Sequence, residues 1–313
     1  MQIIIARDSK HVSYNTVKEF EQVIKEFTSW EFRKELNAPI KKIANKFFKS
    51  LIFFYPAYKS NETYLIILLG IYFIQQAYPY FLLKSCRKAV YLFDSWEGDL
   101  KKIAQYIDKL NLNYVFISAK QSYEHLSNCN LKAKLFWVPE GINTSDYHFL
   151  PYSEKTIDVL QIGRKYDLYH EKIVEFCSER QYKYLYEVKR GSIIFSTNEE
   201  FFEGLAKAKI SVCVPSNITH PERSGKISTM THRYLQSMAS KCLILGICPD
   251  EMIELFDYNP VIEIDMENSS KQLEDILSDY DNYIPLIEKN YKVVKEHHQW
   301  KNRLDDIRKI LSS

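Results

Sequence analysis

The chain has 313 residues, of which 46% are hydrophobic and 26% charged, and its formal net charge is +2. That length suits two domains of ordinary size or one large one, and the composition is that of a folded chain, not a disordered or fibrous one. So small a net charge supplies no global field toward DNA or RNA, and a nucleic-acid partner is not expected.

In chain order, the first apolar run, Met-Gln-Ile-Ile-Ile-Ala-Arg, is too short for a signal peptide; residues 3–5 within it read as a strand. Residues 29–60 read as helical and basic, without an evident place in the fold. The most apolar stretch, 64–73, falls well short of the roughly 20 residues a membrane helix needs. It reads as a buried strand (64–69) running into a core helix. Tyr78, Tyr80, Phe81, Lys84, Arg87 and Lys88 follow it, an aromatic and basic mixture that also suits peripheral membrane contact. Further strands are predicted at 89–93, 114–117 and 135–138. Between them lies an amphipathic helix over 99–110, with Leu100, Ile103, Ile107 and Leu110 at helical spacing.

Residues 150–155 turn polar and include a proline, which marks a domain boundary. Beyond it, strands are predicted at 157–162, 183–186, 210–214, 243–245 and 261–264. Helices are predicted at 168–178, 198–206, 229–240 and 269–278, and 283–311 reads as one or two helices. The alternation implies an α/β protein with mostly parallel sheets covered on both faces. The expected organisation is a Rossmann-like domain over 1–150, a second Rossmann-like domain over 151–285, and a C-terminal helix over 286–313 packing back across them. The two main domains should face each other across a cleft at the carboxyl ends of their strands. The six cysteines contain no Cys-x-x-Cys pair, so no zinc site is expected. Cys242 and Cys248 read as buried thiols, and scattered free cysteines suit a reducing cytoplasm.

Three segments carry chemistry. Val138-Pro-Glu-Gly-Ile-Asn143 is a strand entering a tight turn. The strand 157–162 runs into Gly163, Arg164 and Lys165, where a glycine lets backbone approach a ligand and the Arg164 fork fits phosphate oxygens. The third segment is a strand ending at Ser216, a polar loop with Glu222, Arg223 and Gly225, and then a helix that begins near Ser228, Thr229 and Thr231. A helix start with free N–H groups and hydroxyls suits a diphosphate; the same hydroxyls also serve as ordinary caps. Asp279-Tyr-Asp281 lies between C-terminal helices and reads as a solvated turn.

Taken in order, the Pro-x-Gly-x-Asn turn, the strand-Gly-Arg, Ala206-Lys-Ala-Lys-Ile-Ser-Val212, Arg233-Tyr-Leu-Gln-Ser-Met-Ala-Ser-Lys-Cys-Leu-Ile-Leu-Gly246 and the closing His298-Gln-Trp-Lys-Asn-Arg-Leu304 resemble the group 1 (family 4-like) glycosyltransferases of GT-B fold. The resemblance covers about residues 135–313. It implies a nucleotide-sugar donor bound without a metal or other cofactor, a glycan or glycolipid acceptor, and a place in the cytoplasm or at the inner face of the membrane. It assigns Arg164, aided by Lys165 or Lys172, together with Thr231 and Arg233, to the donor diphosphate. Gly163, Ser216 and Thr229 line the same site, and Gln236 reaches the ribose.

Many retaining members carry two glutamates eight positions apart, where this chain has Ser228 and Gln236. Glu222 is the substitute for the first, and the stereochemistry stays open. An inverting enzyme needs a base in the first domain; His11 and Asp94 are the candidates, with Trp96 placed to stack on a sugar. The competing readings are a GT-B-like binding protein without activity and a sugar-nucleotide epimerase.

Overall fold

The computed structural model describes residues 1–6, 16–33, 62–81, 83, 86–163, 165–188 and 193–312. His11, Arg164 and most of the 29–60 segment lie outside the described residues. The chain divides into two compact units. One comprises Met1–Val12, Ile24–Pro139 and Ser224–Ile227; the other comprises Ser13–Val23, Glu140–Arg223 and Ser228–Ser313.

The first unit is built on a six-stranded parallel sheet of β1 (Gln2–Ala6), β2 (Glu31–Arg33), β3 (Thr63–Gly70), β4 (Arg87–Asp94), β5 (Tyr114–Ile117) and β6 (Lys134–Trp137), in the order β2-β1-β3-β4-β5-β6. Helix α1 (Thr16–Phe27) follows β1 in the chain and divides between the two units. The short β2 corrects the helical reading of that stretch: Glu31–Arg33 is an edge strand pairing with β1. β3 and β4 are near-continuous apolar runs because both faces are covered. Leu65, Ile66 and Ile67 are fully buried, as are Ala89 and Tyr91. Helix α2 (Leu100–Lys109) turns Leu100, Ile103 and Ile107 into this core, and α3 (Lys120–Ser127) contributes Leu126.

Part of the aromatic and basic mixture after β3 belongs to the interior, in keeping with its reading as a core helix. Tyr78 and Phe81 are core residues. Lys88 is buried, with its ammonium donating to the Phe81 and Leu110 carbonyls at 2.9 and 2.6 Å. Trp96 is likewise buried in this core, which removes it as a sugar-stacking surface. Among the described residues no helix is long and apolar enough to cross a membrane.

The second unit carries a five-stranded parallel sheet of β7 (Ile157–Gln161), β8 (Tyr184–Tyr186), β9 (Ala208–Cys213), β10 (Leu243–Gly246) and β11 (Ile262–Glu263), in the order β11-β10-β9-β7-β8. Helices α4 (Asp167–Glu179), α5 (Asn198–Lys207), α6 (His232–Ala239), α7 (Asp250–Phe256) and α8 (Ser269–Ser278) alternate with the strands. Then α9 (Ile284–His297) and α10 (Trp300–Ser312) close the chain as two helices. Two clusters fill the unit, one around Leu235, Met238 and Ile244, the other around Val159, Ile210 and Leu245. Cys242 is buried, its thiol pushed up to about 11 by that burial, whereas Cys248 is only half-buried.

Lys155 belongs to the polar run after residue 150, yet it is buried. Its ammonium donates to the carbonyls of Ala206, Ala208 and Ser240 at 3.0, 2.9 and 3.2 Å. Burial holds its pKa below the ordinary lysine range. Composition marks this run as polar; the fold uses its cation to gather three carbonyls.

Candidate functional site

In the second unit β7 is followed by β8 on one side and, later in the chain, by β9 on the other. The loops after β7 and β9 therefore flank the point where strand order reverses, the usual position of a ligand in an open parallel sheet. Both loops carry residues expected to bind the donor.

After β7 the chain turns at Gly163, whose φ of +70° is a left-handed conformation that side chains disfavour. The turn is also crowded: a Cβ there would stand 2.9 Å from Arg233 Nη2. The fold thus brings together Gly163 and Arg233, which lie far apart in the unit's sequence. Among the described residues no carboxylate forms an ion pair with Arg233. Lys165 lies with its ammonium 5.2 Å from the Tyr186 ring, and Tyr186 packs on His170 at 4.5 Å. After β9, Ser216 opens a single helical turn, Ser216–Thr219, and its carbonyl accepts from His220 N at 2.7 Å. Glu222 is exposed in the next short turn, Pro221–Ser224.

Helix α6 starts at His232, three residues later than the pattern suggests, with Thr231 as its N-cap residue. The delay has a physical cause in Glu251, a buried carboxylate at the start of α7. It accepts from the Thr229 hydroxyl at 2.7 Å and from Met230 N at 2.5 Å, which holds this stretch out of helical geometry. Thr229 is thereby committed to the entry of the helix. Thr231 Oγ1 is buried and meets no hydrogen-bond partner among the described residues, a state that costs about 1–3 kcal/mol and that a ligand oxygen or amide would offset. Gln236 is buried, donating to the Tyr147 hydroxyl at 3.1 Å. Tyr234 anchors the helix to the sheet, its hydroxyl facing the Cys213 and Ile247 carbonyls at 3.1 and 2.6 Å.

A cluster not foreseen from the sequence stands beside this helix start. His232 Nε2 lies 2.8 Å from Glu19 Oε2, and the same oxygen accepts from Trp300 Nε1 at 3.1 Å. Glu19 is fully buried, and neighbouring Phe20 stacks on Trp300 with centroids 4.4 Å apart. Desolvation alone would lower the His232 pKa; the charge of Glu19 and its hydrogen bond, with help from Glu140 and the Gly141 backbone, outweigh it and raise the value. One signal was legible: Glu19 sits among Val17, Phe20, Val23 and Ile24 on the apolar face of α1, where an unpaired carboxylate would be costly. Its partners are too distant in sequence to read.

The turn at 138–143 also gains a role. Ile142 N donates to His298 O and Trp300 N to Ile142 O, both at 3.0 Å, so the turn is stitched to the start of α10. Gly141 is required by this approach, since a Cβ there would stand 2.7 Å from Trp300 N. In the first unit Asp94 ends β4, paired in register with Gly70 of β3. Asp279 and Asp281 are exposed in the turn after α8. Among the described residues no three His, Cys, Asp or Glu side chains group as metal ligands.

The same architecture occurs in solved structures. Anabaena HepE, determined in complex with UDP-glucose, superposes with a TM-score of 0.67 at 10% identity, over 100% of this chain and 99% of that one. The fold is GT-B. Sucrose-phosphate synthase from Thermosynechococcus elongatus matches with a TM-score of 0.64 at 11% identity, covering 99% of this chain and 98% of its own. The N-terminal domain of Candida albicans trehalose-6-phosphate phosphatase matches with a TM-score of 0.64 at 10% identity, over 99% and 96%. No protein-family model matches the sequence, and no curated protein matches it.

Proposed function

We propose that this chain is a glycosyltransferase. It moves a sugar from a nucleotide-diphosphate donor to a hydroxyl of a glycan or glycolipid, with no metal required. The observation that carries this reading is the Arg233 guanidinium lying against the left-handed turn at Gly163, with no carboxylate partner among the described residues, beside the start of α6. A half-buried cation, a backbone that a ligand can approach closely and an unsatisfied Thr231 hydroxyl make a consistent anion site at the carboxyl edge of a parallel sheet. Cleavage of the donor's anomeric C–O bond leaves charge on the diphosphate. Fixed donors such as Arg233 and the α6 N–H groups stabilise that charge as it develops.

The fold shared with a protein solved with UDP-glucose favours a UDP-sugar. Within this reading Arg164 and Lys165 assist at the diphosphate and Ser216 lines the donor from the loop after β9. Gln236, already bonded to Tyr147, reaches the ribose with its remaining capacity. Asp94 or His11 serves as base toward the acceptor, and Glu222 stands in for the missing acidic residue near the donor sugar.

The test is a thermal-shift screen of the purified chain against UDP, GDP, ADP, CMP and dTDP, followed by a nucleotide-release assay with the corresponding sugar donors. A ligand bound only by the native state raises the melting temperature with its concentration, and one base should stand out. Nucleotide binding without release from any donor would leave a binding protein in place of an enzyme. No binding at all would end the reading.

A further inference from the structure

Position 232 lies between the Thr231 cap and Arg233, yet its side chain turns away into the interior, where it meets a carboxylate from a helix more than 200 positions earlier in the chain. We propose that Glu19 is a positioning residue for the donor site, holding the first turn of α6, and with it the Arg233 guanidinium, in place through His232. The proposal rests on the donor-site reading above.

The geometry supports a charged ring. Nε2 faces Glu19 Oε2 at 2.8 Å, and the charge of that buried carboxylate favours the protonated ring. The charged groups facing the ring are the Glu19 carboxylate from α1 and Glu140 from the turn before Ile142; α10 adds the neutral Trp300 indole, which donates to Glu19. A neutral ring forfeits the attraction between charges that holds it against Glu19. The first turn of α6 then loses its lateral anchor. Arg233 is the next residue in that turn, and its guanidinium touches Gly163, so a small rotation of the turn moves the cation off the β7 loop. Glu19 has no role of its own toward the ligand in this scheme.

The experiment measures UDP affinity by calorimetry for the full chain and for E19Q, at about pH 6 and about pH 8.5, alongside the His232 titration followed by NMR. Glu19→Gln keeps an acceptor for Trp300 and removes the charge, so His232 should titrate at lower pH. UDP binding should weaken about tenfold at the higher pH and recover at the lower one. W300F, which removes a neutral donor to the same carboxylate and leaves the ion pair, should not produce the pH-dependent loss of binding expected of E19Q. A merely structural role for Glu19 would lower affinity equally at both pH values; that result, or wild-type affinity in E19Q throughout, overturns the proposal. If the unsubstituted chain binds none of the nucleotides, the donor-site reading itself fails and the positioning role falls with it. Binding by the wild type with no recovery of E19Q at low pH rejects the positioning role alone.

Discussion

Gly163 and Arg233, 70 positions apart, are in contact: the left-handed turn after β7 leaves space for the guanidinium, and a single methyl at 163 would intrude to 2.9 Å of Nη2. Each residue explains the other. The glycine is needed for the backbone and for the room, and the arginine lies at the carboxyl end of β7, where the proposed donor phosphate would be met.

Gly163→Ala is therefore expected to act twice. The left-handed backbone costs about 1–2 kcal/mol with a side chain present, seen as a lower urea midpoint. The displaced Arg233 removes most of the UDP-induced rise in melting temperature. A normal ligand response in a destabilised variant would dissociate the two residues' roles.

Arg233→Ala should weaken nucleotide binding by about 10- to 100-fold, the value of a charge-assisted hydrogen bond or two. Stability should change little, because no ion pair among the described residues is broken. Calorimetric titration with UDP and a denaturation curve on the same sample check both halves.

The His232–Glu19 pair predicts how stability varies with pH. The His232 pKa is raised on folding, so the folded state holds its proton more tightly than the unfolded chain. The stabilisation is complete below about pH 6.5, the unfolded value, and is lost as pH rises through the folded one. His232→Gln removes the ion pair and should therefore be most destabilising near pH 6, and less so in alkaline buffer. Urea midpoints of wild type and variant across pH measure the convergence.

Lys155→Met should destabilise by about 3 kcal/mol or more, since the buried ammonium serves three carbonyls that a thioether cannot. Gly141→Ala should cost about 1–3 kcal/mol through its collision with the Trp300 backbone. Lys155 does not touch the proposed donor site, so nucleotide affinity in the surviving folded fraction of that variant should be unchanged.

Periodicity marked most of the strands, because apolar runs such as those of β3, β4 and β9 have no other stable place than a sheet covered on both faces, but it left α1, α3, α7 and the edge strand β2 unread. It also marked the glycine after β7 and the hydroxyl-rich start of α6, since turns and helix starts are signalled by their own residues. Local pattern failed where a distant side chain intervened. Glu251 delays α6 by three residues, and Lys155 is drawn inside by carbonyls from three other segments. The contact of Arg233 with Gly163 and the pairing of Glu19 with His232 were decided only by tertiary structure. Such contacts depend on which strands become neighbours and where helices cross, and a burial pattern read along one chain carries no record of its partner across the fold.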